Sequence, residues 1–430
     1  MSNTPNHHRQ EGFHQSLWKA TSKEGAIETS PLRGETQADC VIIGAGYTGL
    51  SAALHLATAG SCATVLEAHE PGFGASGRNG GQVNPGWKIA PSQILEAFGH
   101  KSGERLIREV SGACDLVFEL IRAHAIDCEA DQAGYVRGAL NQKEQAHIVR
   151  DGQEWLRQGA PIEICDRQAI STLLGTTRYC GGLIDRRGGT LNPLAYARGL
   201  ARAAVAQGVT IHGHSPVHSV ERIENTWRVK SEKGTVKARS LVIGTNGYTD
   251  ALWPKLAQTI IPVASHQTAT RPLPPQIWDK MLPQGNHVSE QRRMMCYFRR
   301  GPGQRFVIGG RGMHLDNREV GPTDHLRSEA IKYFPLLKEV EWEFDWGGYV
   351  AMTRNHRPRL FQLGPDAYAG LGFQGRGVAM ATLMGKWLAQ AVSGDSPALA
   401  PETMETIRFH AFRNLGLAAY KLTGPWLDRL

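Results

Sequence analysis

Three glycines and one carboxylate near the start of the chain have the spacing of a dinucleotide-binding site. Gly44, Gly46 and Gly49 follow the apolar run 40–43, and Glu67 lies 18 residues beyond the third glycine. In a β-α-β unit these glycines permit the tight turn, the approach of a pyrophosphate and the close packing of helix on strand. The helix N-terminus binds the phosphates, and the carboxylate accepts ribose hydroxyls. This part of the sequence therefore predicts a ligand that contains adenosine diphosphate.

Two further glycine-rich stretches extend the predicted site. Residues 71–81 carry five glycines and almost no charge, which favours a backbone that lies against a planar ligand; the alternative is a flexible turn. Near the other end of the chain, Gly372, Gly375 and Gly377 precede a predicted helix over about 378–392 and form a second cradle for an anion or a carbonyl group. Two such cradles favour a long ligand, FAD, over a nicotinamide nucleotide.

The composition restricts the class of protein. The chain has 430 residues, 41% of them apolar and 20% charged, which is typical of a globular protein with two or three compact units. Its net charge of +8 is spread along the chain, which favours acidic small molecules over a nucleic acid as partners. The first 36 residues contain no signal sequence, and no apolar stretch is long enough to predict a membrane span.

Cysteine and histidine spacing argues against other kinds of chemistry. The seven cysteines form no Cys-x-x-Cys pair and lie far apart, which predicts reduced thiols in a reducing compartment and hence a cytoplasmic location. No His or Cys spacing matches a metal site, and no Gly-x-Ser-x-Gly nucleophile turn is present. The sequence therefore predicts no metal and no serine nucleophile.

The elements that position these residues alternate between helices and strands. Apolar residues recur at helical spacing over 104–125, and Asn192 followed by Pro193 is typical of the start of a helix. Alternation over 217–239 predicts a small antiparallel sheet. The apolar run 241–244 predicts a separate strand that returns beside the nucleotide.

Together these motifs resemble the D-amino acid oxidase and glycine oxidase superfamily of FAD enzymes. The resemblance spans about residues 15–395 and rests on the stretches 39–50, 66–68, 217–220, 244–247 and 372–378. The run 74–81, Gly-Ala-Ser-Gly-Arg-Asn-Gly-Gly, is similar to the amine-oxidising branch typified by gamma-glutamylputrescine oxidase.

The resemblance implies an α/β fold of the glutathione-reductase type, with a Rossmann-like FAD-binding domain and a mixed-sheet substrate domain. Leu17 and Trp18 lie in a predicted N-terminal arm and are large enough to dock on the protein. The predicted division is an arm at 1–36, an FAD-binding domain assembled from the discontinuous segments 37–90, 175–255 and 345–400, a substrate domain from 91–174 and 256–344, and a C-terminal helical segment at 401–430.

The resemblance also implies which residues hold FAD. Val217 would present its backbone to the adenine, and Gly80 and Gly81 would border the flavin ring. The helix after Gly377 would direct its positive end at the carbonyl edge of the ring, where it stabilises the anionic reduced flavin. The residues predicted to bind the cofactor are Gly44, Gly46, Tyr47, Thr48, Gly49, Glu67, Ala68, Ala75, Ser76, Arg78, Asn79, Gly80, Gly81, Gln82, Val217, Thr245, Asn246, Gly247, Gly372, Gln374, Gly375, Arg376, Gly377 and Val378.

Relatives of this branch oxidise a C–N bond with hydride transfer to flavin N5, hydrolysis of the imine to an aldehyde, and reoxidation by O2 to give H2O2. Two departures adjust this expectation. The cysteine that attaches the flavin in some relatives is missing before Gly347, which predicts non-covalent FAD. Relatives that oxidise N-methylglycine hold its carboxylate with a lysine where this chain has Ala379, which favours a gamma-glutamylated or other primary or secondary amine over a small amino acid.

Several alternatives stay open from the sequence. A dehydrogenase of the same fold would pass electrons from a D-amino acid or N-methyl amino acid to a quinone. A flavoprotein subunit would need a partner for the chemistry, and a nicotinamide-dependent dehydrogenase would hold a different cofactor. Because no oxygen-activating lysine is identified, the electron acceptor is either O2 or a quinone.

Three side chains are the sequence candidates for catalysis. Arg78 is suited to bind a flavin carbonyl, a phosphate or a substrate carboxylate, or else is a solvated loop residue. His266 lies in an extended stretch that is expected to face the flavin. It is suited to accept the proton of the amine, although a lone histidine is more often structural. Trp346 is suited to wall the substrate cavity, or else to fill a core. Arg376 would neutralise the charge of the reduced flavin or point into solvent. The weaker candidates are Arg299, Arg300, Asn355 and Arg357.

Overall fold

The structure is a computed structural model that describes residues 16–292, 294–312 and 321–427. Its strands are β1 (Gly34–Ile43), β2 (Ala63–Leu66), β3 (Gln82–Val83), β4 (Tyr135–Ala139), β5 (Ile162–Cys165), β6 (Gly181–Asp185), β7 (Gly189–Thr190), β8 (Thr210–His212), β9 (Val217–Ile223), β10 (Thr226–Ser231), β11 (Gly234–Ile243), β12 (Ile261–Thr270), β13 (His287–Glu290), β14 (Cys296–Gly301), β15 (Arg305–Arg311), β16 (Trp342–Met352), β17 (Arg359–Gly364) and β18 (Ala367–Leu371). Its α-helices are α1 (Leu17–Thr21), α2 (Tyr47–Thr58), α3 (Pro91–Phe98), α4 (His100–Ser111), α5 (Ala113–Ala123), α6 (Gln142–Arg157), α7 (Arg167–Leu174), α8 (Pro193–Ala206), α9 (Asp324–Tyr333), α10 (Gly377–Val392) and α11 (Arg413–Leu427).

The first sheet contains the predicted nucleotide-binding strands. Its path is β17-β18-β11-β1-β2-β8, with β10 on β11 and β9 on β10. Strand β1 pairs in parallel with β2 and β11, and β2 pairs in parallel with β8. All of β2 and the last four residues of β1 are buried, as expected for parallel strands that are covered on both faces. This Rossmann-like arrangement is the α/β fold that the sequence predicts.

The long strand β11 joins two parts of the first sheet. Its first half pairs antiparallel with β10, and its second half pairs in parallel with β18. The antiparallel sheet predicted over 217–239 is therefore confirmed as β9, β10 and the start of β11. The prediction of a separate strand at 241–244 is wrong, because the backbone stays extended through Arg239 and Ser240 as one strand.

Of two helix predictions made from the sequence, one is confirmed and one is wrong. Asn192 Oδ1 accepts hydrogen bonds from the backbone N–H groups of Leu194 and Ala195 at 3.2 and 3.1 Å, so the predicted cap before Pro193 is confirmed. The single helix predicted over 104–125 is wrong. It is interrupted at Gly112, whose ψ of 2° leaves the helical region and separates α4 from α5.

The second sheet is mixed and lies over the predicted ligand site. Its order is β16-β12-β15-β14-β13-β4-β6-β5. Most neighbours are antiparallel, whereas β4 and β13 run in parallel. This is the mixed sheet that the sequence predicts for substrate binding.

Helices α2 and α10 pack closely, which brings two distant parts of the chain together. Ser51 Oγ in α2 donates a hydrogen bond to the carbonyl of Thr382 in α10 at 2.7 Å. A Cβ at Gly385 would lie 2.5 Å from the Cβ of Ser51, so the contact requires a glycine. The two helices that start at the two predicted cradles are therefore held as one unit.

The N-terminal segment is packed against the protein from residue 16 onward. Leu17 and Trp18 in α1 are fully buried, and they share a core cluster with Phe73, Leu194 and Trp346. Residues 34–36, predicted as the end of an arm, belong to β1. The first fifteen residues of the predicted arm lie outside the described residues.

The C-terminal segment contains the helix α11, in line with the helical segment predicted there. Among the described helices, none combines the length and the apolar character that crossing a bilayer requires.

Candidate active site

A cavity of about 390 Å³ lies between the two sheets. Of the residues predicted to bind a cofactor, those that line it are Gly44, Gly46, Tyr47, Thr48, Glu67, Ala68, Ala75, Ser76, Arg78, Asn79, Gly80, Gln82, Val217, Thr245, Asn246, Gln374, Gly375, Arg376, Gly377 and Val378. Gly49, Gly81, Gly247 and Gly372 are not among the lining residues and pack behind the wall. At Gly372, for example, the backbone N–H donates to Asn246 Oδ1 at 2.9 Å.

The first glycine turn has the close contacts that its spacing predicts. Gly44 has a φ of +101°, which L side chains rarely adopt. A Cβ on Gly49 would lie 1.9 Å from the carbonyl oxygen of Gly44, so only glycine lets the helix start this close to the strand. The N–H of Tyr47 donates to Ser76 Oγ at 2.9 Å, which ties the glycine loop to the N-terminus of α2. The positive end of α2 faces the cavity.

Glu67 ends β2 at the same edge of the sheet. Its Oε2 accepts a hydrogen bond from the N–H of Ala45 at 2.7 Å, and its Oε1 accepts from the N–H of His69 at 3.1 Å. Burial raises the pKa of this carboxyl, and these backbone N–H groups oppose the rise. Each carboxylate oxygen has a second lone pair, so Glu67 can still accept hydroxyl donors from the cavity. The N–H of Ser215 bonds the carbonyl of Glu67 and brings Val217 beside it.

The second glycine turn opens the helix α10 onto the same cavity. Gly375 has a φ of +82°, and a Cβ there or at Gly377 would meet nothing within 4 Å. Gln374 Nε2 donates to Thr353 Oγ1 at 2.7 Å and holds the turn from behind. The helix has no side-chain cap, so its first N–H groups are available to a carbonyl or an anion in the cavity.

Arg78 is buried in the cavity wall rather than solvated. Its Nε donates to the carbonyl of Phe73 at 2.8 Å, and its guanidinium lies 4.5 Å from the centre of the Phe73 ring. Its own carbonyl accepts from Trp346 Nε1 at 3.0 Å and from Gln267 Nε2 at 2.5 Å. These contacts fix the loop that carries Gly80.

His266 and Trp346 do not line the cavity. Ser265 and Gln267 line it, and the ring of His266 between them is fully buried on the other side of β12, where a Cβ at Gly312 would lie 2.8 Å from its Nε2. Trp346 is also fully buried, with its ring edge-on to Trp18 at 5.5 Å. Both side chains are packed in the protein interior and do not reach the cavity surface, where a substrate would contact them.

Arg376 and the weaker arginine candidates also differ in their placement. Arg376 is buried at the start of α10, where its Nη1 donates to the carbonyl of Pro85 and its guanidinium lies 5.7 Å from the Tyr135 ring. Burial lowers its pKa. It therefore lines the cavity instead of facing solvent. The other candidates, which are not among the lining residues, are Arg299, Arg300, Asn355 and Arg357.

Comparison with known proteins decides the family. A model of the family described as FAD dependent oxidoreductase matches residues 39–391. The chain belongs to this FAD-dependent oxidoreductase family. The probable oxidoreductase OrdL of Haemophilus influenzae is 31% identical over 386 residues, which cover 88% of each chain. The gamma-glutamylputrescine oxidoreductase of Escherichia coli is 30% identical over 405 residues, 94% of this chain and 92% of its own.

Solved structures show the same fold. A glycine oxidase from Geobacillus kaustophilus superposes with a TM-score of 0.71 at 20% identity and covers 85% of this chain and 96% of its own. The L-proline dehydrogenase of P. horikoshii gives a TM-score of 0.68 at 20% identity, over 85% of this chain and 95% of its own. The expected FAD fold of the D-amino acid oxidase type is confirmed.

The residues of this FAD-dependent oxidoreductase fit its cofactor. At one end of the cavity, the turn at Gly44 and the carboxylate of Glu67 suit an adenosine diphosphate. At the other, Gly375 and Gly377 leave open space in front of a helix N-terminus, which suits the carbonyl edge of a flavin. The glycine loop between them has the tight contacts that a buried ligand wall needs, since a Cβ at Gly80 would lie 2.8 Å from the Tyr297 ring.

A polar group at the cavity was not predicted from the sequence. His287 Nε2 bonds Asn84 Oδ1 at 2.9 Å, and its ring stacks on Tyr135 at 5.1 Å. Tyr135 in turn shares a hydrogen bond with Ser289 at 2.9 Å. Asn84, Tyr135 and Ser289 line the cavity. The stretch 286–290 has Val288 as its sole apolar residue, so its pattern predicts neither β13 nor the face that meets the ligand.

A second missed pair is Tyr297 with Ser265. Ser265 Oγ donates to the carbonyl of Gly310 at 3.2 Å, so the Tyr297 hydroxyl is the donor in the 2.9 Å bond between the two side chains. Burial raises the pKa of Tyr297, which therefore stays protonated. Both residues line the cavity and give it a fixed polar point beside the glycine loop.

Protonation of His287 is expected to destabilise the fold below neutral pH. Burial, together with the nearby charge of Arg299, lowers the pKa of His287 to about 3. Its contribution is fully present above the unfolded pKa of about 6.5 and is lost as the pH falls toward 3, so about 2 kcal/mol is lost between pH 7 and pH 5. Urea unfolding at both pH values should show that His287→Gln loses about 2 kcal/mol less than wild type over this interval.

The control for this measurement is His218→Gln, at an exposed site on β9. It should lose as much stability between the two pH values as wild type does. Equal losses in His287→Gln and wild type would contradict the prediction.

Proposed function

We propose that this FAD-dependent oxidoreductase oxidises the C–N bond of a primary or secondary amine, with a gamma-glutamylated amine as the preferred substrate class and O2 as the electron acceptor. The observation that carries the proposal is that both glycine turns line the same cavity as Tyr135, Tyr297 and Lys88. The similarity to gamma-glutamylputrescine oxidoreductase supports the choice of amine.

Bound FAD supplies the acceptor for a hydride from the carbon next to the amine nitrogen. The chain positions that carbon and keeps water away from it. Tyr248 and Tyr349, with ring centres 5.6 Å apart, belong to the apolar lining together with Phe373 and Met352. A neutral amine needs no side-chain base for hydride transfer. In agreement with this, the one histidine among the described lining residues is His69, which lies beside Glu67 at the nucleotide end. The imine product then reacts with water to give an aldehyde and an amine or ammonia.

The domain division and the cofactor residues belong to the same proposal. The membership of β1, β2, β11 and β18 in one sheet supports an FAD-binding domain drawn from distant parts of the chain. The proposed bounds are 37–90, 175–255 and 345–400 for this domain and 91–174 with 256–344 for the substrate domain. Strand β6 and most of β16 fall within the FAD-binding segments, although both pair in the second sheet. The twenty predicted residues that line the cavity support a cofactor site there.

The test has two steps on the purified chain. Its visible absorption spectrum should be that of a flavin, since a nicotinamide enzyme lacks it. A peroxide-coupled panel should then give the highest kcat/KM for gamma-glutamylated amines, compared with free polyamines, sarcosine and D-alanine.

Three outcomes would contradict parts of this proposal. Preferred turnover of sarcosine or D-alanine would overturn the substrate class. Turnover only with an artificial acceptor, without peroxide, would replace O2 by a quinone-like acceptor. A flavin spectrum without turnover of any amine would indicate a subunit that needs a partner.

A further inference from the structure

Lys88 lies in the segment 84–90, which connects β3 to α3 and borders the cavity. The backbone on both sides of it is anchored. The carbonyl of Pro85 accepts a hydrogen bond from Arg376, and Trp87 is buried with its ring 6.0 Å from Phe98. The side chain of Lys88 is surrounded by protein, and its exposed surface faces the open cavity that it lines. The segment therefore presents a positioned ammonium group to the ligand space.

The surroundings of Lys88 are cationic. Burial lowers its pKa to about 8, and the charges of Arg376, Arg311 and Arg137 contribute to the decrease in that order. Arg376 and Arg311 line the same cavity, and Arg137 is paired with Asp151 at 3.2 Å. Among the described residues, no carboxylate raises the pKa of Lys88. Like charges gathered in a partly buried site favour an anionic ligand.

The acidic residues that line the cavity lie on other elements than the cations around Lys88. Glu67 is at the nucleotide turn, where it accepts backbone N–H groups, and Asp250 follows the short turn after β11. The cations around Lys88 come from the second sheet and from the start of α10 instead. These cations therefore lie on elements other than α2, whose N-terminus is the proposed phosphate site.

We propose that Lys88, with Arg311 and Arg376 beside it, binds a carboxylate of the substrate that is remote from the oxidised C–N bond. This inference rests on the proposed amine oxidation only where it identifies the bound molecule as the substrate. The carboxylate site itself follows from the charges. An ammonium and two guanidinium groups can share a carboxylate through charge-assisted hydrogen bonds. The bound anion offsets the positive charges of Lys88 and Arg376, so binding and protonation of Lys88 support each other.

Binding is measured directly, without turnover. Holoenzymes of wild type, Lys88→Met, Lys88→Arg and the control Lys101→Met are titrated with butyrate, and the change in visible absorption of the bound flavin reports occupancy. Lys101 is exposed on α4, away from the lining residues. Lys88→Met should weaken butyrate binding by about tenfold or more, and Lys88→Arg should retain most of the affinity. Butyramide, the uncharged analogue, should bind all four proteins equally.

The pH dependence gives a second readout. Butyrate affinity of wild type should fall as the pH rises through about 8, because Lys88, whose pKa is lowered to about 8, loses its proton there. Lys88→Met should lack this decrease, and Lys88→Arg should lack it as well because its charge persists.

Steady-state kinetics connect the site to the substrate. The KM of gamma-glutamylputrescine should rise about tenfold in Lys88→Met, whereas the KM of N-butyrylputrescine, which lacks the carboxylate, should stay unchanged. Unchanged butyrate affinity in Lys88→Met would overturn the proposal, and so would loss of FAD from that variant. Butyrate binding that depends on Lys88 in a protein inert to every amine would support the carboxylate site and reject amine oxidation.

Discussion

Replacement of Gly49 by alanine is expected to release FAD and to destabilise the fold by about 1–3 kcal/mol. The added Cβ would lie 1.9 Å from the carbonyl oxygen of Gly44 and 3.1 Å from Ile42 Cγ2. The backbone oxygen cannot turn aside as a flexible side chain can, so α2 must move away from β1. That movement separates the helix N-terminus from the turn that receives the phosphates. The flavin-to-protein absorbance ratio after purification and urea unfolding measure the two effects.

A matched control is Gly416→Ala, because Gly416 also lies in a helix, α11, and a Cβ there would meet nothing within 4 Å. This variant should retain full flavin content and wild-type stability or slightly more, since alanine favours helix. Full flavin content in Gly49→Ala would contradict the assignment of this turn to the cofactor.

Replacement of Arg299 by methionine is expected to cost about 3 kcal/mol of stability and to loosen the glycine loop. The buried guanidinium donates to the carbonyls of Gly81 and Leu191 at 2.7 Å each and to that of Arg300 at 2.9 Å. Burial lowers its pKa to about 10, so it is still cationic at neutral pH. Methionine removes these donors. The buried carbonyl of Leu191 loses its side-chain partner, whereas that of Gly81 keeps the N–H of Leu191 at 2.9 Å, and the glycine loop loses its clamp.

The neighbouring Arg300→Met is the control. Arg300 is only partly buried, and its guanidinium lies over the Trp278 ring at 4.9 Å, on the other side of the strand from the glycine loop. Its loss of stability should be below about 1 kcal/mol, with unchanged flavin content. The measurements are urea unfolding and the flavin-to-protein ratio. Equal effects of the two substitutions would show that Arg299 has no special role.

Much of the nucleotide half of the site was predictable because its chemistry is local. The turn at Gly44, the start of α2 and the strand ending at Glu67 lie within one short stretch. Gly44 is needed for its positive φ and Gly49 for its close contact with the carbonyl oxygen of Gly44, and both needs arise within that same stretch. The same holds for Asn192 and Pro193, whose cap involves atoms within three residues. Such signals need no knowledge of the rest of the fold.

The substrate half depends on which distant segments meet. Lys88 and Arg376 are far apart in the sequence, yet they line one cavity because α10 packs on α2 and the carbonyl of Pro85 bonds Arg376. Arg299 became a structural clamp only because β14 passes behind the loop at Gly81. No local pattern contains these distances.

Strand register explains the difference between His266 and its neighbours. The sequence by itself determined that an extended segment would lie near the flavin and that a histidine would be in it. Only the tertiary structure decided that Ser265 and Gln267 reach the cavity while His266 turns to the opposite face of β12. Alternation along the strand puts neighbouring side chains on opposite faces, and pairing with β15 and β16 decides which face meets the cavity. The residue types came from the sequence, and their directions came from packing.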